Sequence, residues 1–419
     1  MAVSPLPSHS PVAGSTANPH SSSIATKTLA MRSNPGSSLL VPNDVSNTKR
    51  SPAAEPELAE QLNAEVRHKY VKDKKLGEGT YAVVYLGHHR DDPSSLVAIK
   101  RIKLNAEYKD GLSMDAIREV KYLQELSHPN VIALHAVFSS KDQNLNLVLE
   151  YLPLGDLEML IKDNSIHYGA ADVKAWMAML ARGVWFCHKN FILHRDIKPN
   201  NLLIGGDGEV KLADFGLARS FADPYLNMTS QVITRWYRPL ELLFGARQYS
   251  GAVDIWSMGM VFAELLLRVP FAAGNTDMDQ ITKICTAFGA PTEETWPGVT
   301  KLPHFIPMGG EIPPGVPPLQ SRETFLRQFP TVGQLGADLL ASMLKLDPRK
   351  RSGATQVLQH QWWSAEPKPT SNENLPRKAG GAKKMGDDMG RRVGEVEEKV
   401  KAKTKGTARR LDFGSMQKK

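Results

Sequence analysis

The sequence predicts an α+β fold in two lobes, a small β-rich one followed by a larger helical one, and three observations predict it. Apolar and polar residues alternate in runs from Tyr70 to Lys100 around a glycine-rich turn, the period of strands with one buried face. After Gly155 the apolar spacing becomes that of helices. Between the two regimes, Glu150 to Gly155 reads as a hinge, and the cleft beside a hinge is a usual place for a ligand.

The small lobe is expected over residues 70–152. Val71 to Leu76, Gly77 to Tyr85 and Leu96 to Lys100 read as strand, turn with strand, and strand. A helix is expected from about Asp110 to Leu126, with Leu112, Ile117, Val120, Leu123 and Leu126 on roughly one face. Val131 to Phe138 and Leu145 to Glu150 complete the sheet.

The large lobe is expected over residues 156–363. Its helices are read at Leu157 to Lys162, Ala171 to Lys189, Val253 to Leu267, Asp277 to Phe288, Gly336 to Leu344 and Ala354 to Gln359. Leu302 to Gln320 carries too much proline for a helix and reads as an irregular surface insert.

Two appendages flank these lobes. Residues 1–64 are rich in Ser, Pro, Ala and Asn without periodicity, a composition that buries too little apolar surface to offset chain entropy. A disordered arm is expected there, its Ser-Pro pairs at Ser4, Ser10 and Ser51 reading as linker chemistry or as sites of proline-directed phosphorylation. Residues 366–419 carry 15 Lys and Arg against 8 Asp and Glu, so nearly all of the net charge of +8 sits in this expected basic, disordered tail. The tail reads as a solvated segment, a nuclear import signal, or a weak salt-sensitive nucleic-acid contact.

Composition excludes several classes. Two cysteines, Cys187 and Cys285, cannot build a disulfide framework or a four-ligand zinc site and point to a reducing compartment. The longest apolar run, Met258 to Leu267, is interrupted by Glu264 and is too short to cross a bilayer.

The chemistry concentrates in His194-Arg-Asp-Ile-Lys-Pro-Asn-Asn201, a loop that holds a carboxylate (Asp196), a cation (Lys198) and an amide (Asn201) behind a short apolar strand. Its spacing matches H-R-D-x-x-x-x-N. Upstream, Gly77-x-Gly79-x-x-Ala82-x-Val84 joins two strands and does not open a helix, which favours a flap over phosphates rather than a dinucleotide fingerprint. Lys100 ends an apolar strand, where burial demands an anionic partner, and Glu119 lies on the helix that follows. Asp214-Phe-Gly216 follows the strand-like Val210 to Ala213, whereas the same three residues at Asp412 lack that context. His194 and Phe215 read as packing residues, Cys187 as core and His188 as surface.

In this order, with Glu241, Asp254 and Arg351 downstream, the pieces resemble a eukaryotic protein kinase over residues 70–363. The resemblance implies the bilobal kinase fold, ATP and Mg2+ as cofactors, and phosphate transfer to protein serine or threonine. It implies Asp196, Lys198 and Asn201 as catalytic residues, and Asn201 and Asp214 as metal ligands. The ATP-binding residues it implies are Leu76, Gly77, Glu78, Gly79, Thr80, Ala82, Val84, Lys100, Glu119, Glu150 and Leu152.

Within the kinases the chain resembles the cyclin-dependent class. Ser113 to Glu119 stands where that class binds its cyclin, Thr234-Arg-Trp-Tyr-Arg238 is its substrate-facing signature, and Thr229 matches its activation-loop phosphosite, with Arg118, Arg195 and Arg219 at the phosphate-holding positions. Ala82, the doubled Asn200-Asn201, Leu242 to Arg247 and Leu265 to Phe271 resemble the CDK-activating kinase. That resemblance implies the RNA polymerase II tail and the activation loops of other CDKs as substrates, a cyclin of the H type and an assembly factor as partners, and a nuclear location.

Two rivals stay open at this point. Thr80-Tyr81 matches the inhibitory phosphosites of cell-cycle CDKs, and a kinase fold can serve as a scaffold without catalysis. Pro239-Leu240 departs from the family's Ala-Pro after the arginine, which puts substrate preference in question because Pro239 confines Arg238 to extended geometry.

Overall fold

The computed structural model describes residues 54–79, 82–103, 114–223, 225–307 and 318–377. The arm up to residue 53, Thr80, Tyr81, the start of the Asp110 to Leu126 helix and the tail beyond Arg377 lie outside the described residues.

A helix, α1 (Ala54–Lys69), precedes the sheet, with Arg67, His68 and Lys69 in its last turn to meet the negative end of the helix dipole. Residues 54–64 are therefore helix and not part of a disordered arm. The local composition hides this because the stabilisation is tertiary. Val66 packs against Val97, Ile99, Phe138 and Val148 on the sheet's outer face, and Asn63 exchanges two hydrogen bonds with the Ser139 backbone, at 3.1 and 2.7 Å.

The sheet comprises β1 (Tyr70–Glu78), β2 (Ala82–His89), β3 (Asp92–Ile102), β4 (Leu134–Ser139) and β5 (Leu145–Glu150), antiparallel in the order β1-β2-β3-β5-β4. Register sets Gly77, Val84, Lys100 and Leu147 in one row across four strands. Directly paired residues share a face, so this row faces one way and the next row, Glu78, Val83, Arg101 and Asn146, faces the other. At Gly87 a Cβ would lie 2.3 Å from the Val71 carbonyl oxygen, so only glycine fits there. Helix α2 (Met114–Glu125) runs against the inner side and buries Ala116, Glu119, Tyr122 and Leu123.

The helical lobe begins with α3 (Leu157–Lys162), whose N-cap Asp156 accepts a bond from Met159 N at 2.9 Å. Helix α4 (Ala170–Lys189) follows, then β6 (Ile192–Leu193), β7 (Leu202–Ile204), β8 (Val210–Leu212) and β9 (Arg219–Ser220). Next come α5 (Leu240–Leu243), α6 (Ala252–Leu267), α7 (Asp277–Phe288), α8 (Arg322–Gln328), α9 (Gly333–Met343) and α10 (Ala354–Leu358). Every residue of α6 from Val253 to Leu265 is buried, which accounts for its apolar run, and no helix among the described residues is long and apolar enough to cross a membrane. Residues 302–307 of the proline-rich insert carry no helix or strand.

Strand β8 is stitched to the small lobe: Leu212 N donates to Asn130 O and Ile132 N to Leu212 O, both at 3.0 Å. The Lys211 ammonium reaches the Glu150 carboxylate at 2.9 Å.

The ordered chain also continues past the expected end of the large lobe. Lys174, fully buried on α4, donates to Ala365 O at 2.8 Å and Pro367 O at 2.7 Å. Thr370 N bonds Ala171 O at 3.2 Å, and Leu375 is 4% exposed. Residues 366–377 are thus a strap bound to α4 and not free tail, a contact made by backbone carbonyls that charge counting does not register.

Candidate active site

Lys100 lies in β3, where its ammonium donates to both Glu119 carboxylate oxygens at 2.7 and 2.8 Å and to Asp214 Oδ1 at 3.2 Å. Burial opposes the charge on Lys100, but Asp214 and Glu119 more than offset it and hold its pKa above the ordinary lysine value. Lys100 in turn holds the Asp214 carboxyl below the usual range. Asp214 sits in the left-handed region at φ 65°, which turns its half-exposed side chain out of β8's line and back toward Lys100.

The catalytic-loop candidates converge on Asp196. Its Oδ2 accepts from Lys198 Nζ at 2.6 Å and Asn201 Nδ2 at 3.0 Å, and its Oδ1 from Thr234 Oγ1 at 2.9 Å. Asn201 spends its amide nitrogen on Asp196, including the Asp196 carbonyl at 2.9 Å, and is joined to the strand leading to Asp214 by Ala213 N to Asn201 O at 2.9 Å. The donor set left to the cleft, a carboxylate at Asp214 and an amide oxygen at Asn201, is hard oxygen and fits Mg2+.

The loop's shape is imposed from below. Asp254, fully buried at the start of α6, accepts from His194 N and Arg195 N, each at 2.9 Å, and from the His188 ring at 2.9 Å. These bonds keep Arg195 at φ 64°. His188, expected at the surface, is instead tied to Asp254, because the last turn of α4 faces α6. His194 packs edge-on to Phe215 at 4.8 Å, and burial lowers its pKa, leaving a neutral ring bonded to Ala213 O at 3.0 Å.

Thr229 is exposed. Its carbonyl accepts from Tyr249 OH at 2.7 Å, and Tyr249 OH accepts from Arg195 at 2.8 Å. Arg219 also acts on the Tyr249 hydroxyl, opposing the upward push of burial on its pKa. The structure thus brings Arg195 and Arg219 to one tyrosine beside Thr229, while Arg118 binds Asp115 at 2.8 Å.

The flap is formed by the β1–β2 connection, with Gly79 N bonded to Ala82 O at 2.9 Å. Ala82 lies in strand geometry at the start of β2. Glu78 is clamped by Lys103 at 2.5 Å and by Lys75, which hold its carboxyl down at about 2. At the hinge, the Glu150 side chain is turned away to Lys211 and Ala133 N, leaving only its backbone to the cleft, while Leu152 belongs to the core.

Below the catalytic loop, Arg238 has the extended geometry that Pro239 dictates, φ −83° and ψ 126°. Its guanidinium still reaches the Ile233 carbonyl at 3.0 and 3.1 Å, and Ile233 is held at φ 68°. Glu241 pairs in the interior with Arg351 at 2.5 and 2.8 Å. Residues that the motifs did not single out complete the site: Thr234 on Asp196 and Tyr249 on Arg195. Thr234 stood inside a recognised signature, whereas nothing local marks Tyr249.

Tyr237 OH donates to the buried Glu264 at 2.6 Å. Burial raises the Glu264 carboxyl to about 7. A raised folded-state pKa means stability is fully present near pH 4.5 and is lost as pH climbs through 7, a loss on the order of 3 kcal/mol at most. Glu264→Gln, which keeps an acceptor for Tyr237, is expected to raise the melting temperature by several degrees at pH 8 and to leave it nearly unchanged at pH 5. Equal shifts at both pH values would contradict a charge-based cost.

Comparison with known proteins agrees with this geometry. The protein kinase domain family matches residues 70–363. The serine/threonine-protein kinase KIN28 of Saccharomyces cerevisiae is 49% identical over 310 residues, which cover 74% of this chain and 98% of that protein. Cyclin-dependent kinase 7 of Xenopus laevis is 45% identical over 310 residues, 74% of this chain and 85% of that one. Among solved structures, a chain of the CAK complex from Chaetomium thermophilum bound to ATP-gamma-S superposes with a TM-score of 0.73 at 64% identity, covering 77% of this chain and 99% of that chain. This chain belongs to the protein kinase family and, within it, to the cyclin-dependent serine/threonine kinases of the CDK-activating type.

Proposed function

We propose that this kinase phosphorylates Ser-Pro sites in the RNA polymerase II tail and also the activation loops of other CDKs, and that the residues gathered on Asp196 carry the transfer. The supporting observation is the convergence of Lys198, Asn201 and Thr234 on one carboxylate, joined through Ala213 to Asp214 and Lys100. ATP would supply the phosphoryl group, and Asn201 and Asp214 would hold Mg2+, which would offset the phosphate charge. Asp196 orients the substrate hydroxyl and takes its proton. Lys198 places a cation where charge builds on the transferring group. Lys100 anchors the nucleotide phosphates, with Glu119 fixing its direction, under the flap of Gly77, Glu78, Gly79, Thr80, Ala82 and Val84. Leu76, Leu152 and the Glu150 backbone bound the base.

Proline preference follows from Arg238. The Ile233 carbonyl that could accept an N–H from the residue after the phosphoacceptor is already taken, so an ordinary residue there leaves a donor unmatched and proline, which has none, loses nothing. Pro239 does not prevent this arrangement. A cyclin of the H type and an assembly factor are the proposed partners, and the nucleus the proposed location. Met114 and Ile117, both exposed on α2, offer the cyclin an apolar face. Phosphate on Thr229 would meet Arg195 and Arg219, with Arg118 joining once it leaves Asp115.

The test is to purify the full chain with its copurifying partners and measure phosphate transfer to a polymerase-tail peptide and to a second CDK. Transfer to Ser-Pro sites that drops when the proline is replaced supports the reading. Transfer indifferent to that proline overturns the substrate assignment while leaving the kinase activity intact.

A further inference from the structure

A concavity of about 510 Å³ lies outside the cleft, lined by Lys75, Glu78, Val83, Tyr85, Arg101 and Lys103, with Asn144 at its edge. Register puts Val83 beside Arg101 and Lys75 beside Tyr85, all on the sheet face opposite Lys100. Helix α1 covers the adjoining part of that face through Val66, next to Tyr70 at the start of β1. The charge here is unbalanced. Glu78 is shared by Lys75 and Lys103, and Arg101 lies 5.7 Å from the Tyr85 ring with no carboxylate in ion-pair contact among the described residues. Lys72 hangs over the same ring at 5.3 Å, held by Asn146 Oδ1 at 2.8 Å. Its pKa is lowered by burial and then by repulsion from Arg101, against a smaller opposing pull from Asp142.

We propose that this outer-face pocket is a second binding site that takes the phosphoryl group of a phosphorylated Ser-Pro segment, so that the kinase holds a product site while the cleft works on the next one. The inference rests on the Ser-Pro substrate reading. A compact anion matches the pocket's chemistry: Arg101 offers planar paired donors and the lysines point charges, while Tyr85 and Val83 give an apolar wall to the flanking proline. A long polyanion fits less well, because the cations form a pocket and not a stripe.

The experiment uses the full chain with its copurified partners. Two fluorescein-labelled peptides with two Ser-Pro sites, identical except that one carries a single phosphoserine, are titrated by fluorescence anisotropy at two salt concentrations. The phosphopeptide is expected to bind about tenfold tighter than its unmodified twin, with the difference lost at high salt and in Arg101→Gln. Lys103→Gln should remove part of it, and Arg101→Lys should restore part. Transfer to a single-site peptide, measured on the same preparations, should be unchanged in Arg101→Gln, which also shows that the variant is folded. Equal affinity for the two peptides, or a preference untouched by Arg101→Gln, overturns the proposal. So does tighter binding of a single-stranded oligonucleotide through the same residues. Absence of Ser-Pro transfer in the wild type would instead refute the substrate reading.

Discussion

Asp196→Asn is expected to reduce kcat for peptide phosphorylation by about 10²–10⁴-fold, with a much smaller change in the KM for ATP and no loss of the folded state. Asn keeps a carbonyl oxygen for Thr234, which now bonds Oδ1 at 2.9 Å. Its amide group, however, faces Lys198 and Asn201, which are both donors, so the local network loosens as the proton acceptor disappears. Steady-state kinetics with a peptide substrate, nucleotide binding and a thermal melt separate the effects. A variant that retains more than a tenth of the wild-type kcat would show that Asp196 is not the proton acceptor.

Arg351→Ala is expected to destabilise the helical lobe by about 3–5 kcal/mol, the cost of leaving a buried carboxylate without its partner. Arg351 also lies 4.9 Å from the Trp256 ring and donates to Lys345 O and Leu346 O at 2.6 and 3.1 Å, so its loss strips partners from several elements at once. Denaturant unfolding gives the number. The double variant Glu241→Leu with Arg351→Met should recover much of the loss, because apolar replacement removes the stranded charge as well. A double variant as unstable as the single would locate the effect in the lost backbone bonds instead.

The elements that sequence made legible are those whose pattern is their own. Helix α7 matches its expected bounds at Asp277 and Phe288, where Thr276 and Gly289 supply the cap residues. Burial cost and motif order pair Lys100 with Glu119, and the structure joins them. Helix α1 and the 366–377 strap were invisible for one shared reason. Each is held by a surface made elsewhere in the chain, the sheet in one case and Lys174 in the other, and a local window contains neither. Helix α8 was missed because its seven residues carry only one buried side chain, Phe325. In the site, side chains within motifs were legible, while Tyr249 was not, because only folding brings its hydroxyl between Arg195 and Thr229.

The attachment of β8 to Asn130 and Ile132 has a mechanical consequence. Among the described residues the lobes are joined by backbone at two places, the covalent crossing after Glu150 and the Leu212 bridge. Two fixed points define an axis, so the small lobe is left with one easy motion, a swing about that line, and twisting is resisted. The joins that a swing can break are made by side chains, Lys100 with Asp214 at 3.2 Å and Tyr122 with Ser220 N at 2.8 Å. Whatever presses on α2 therefore acts as a lever with a single degree of freedom, and its displacement is delivered to Asp214 rather than dissipated across the sheet.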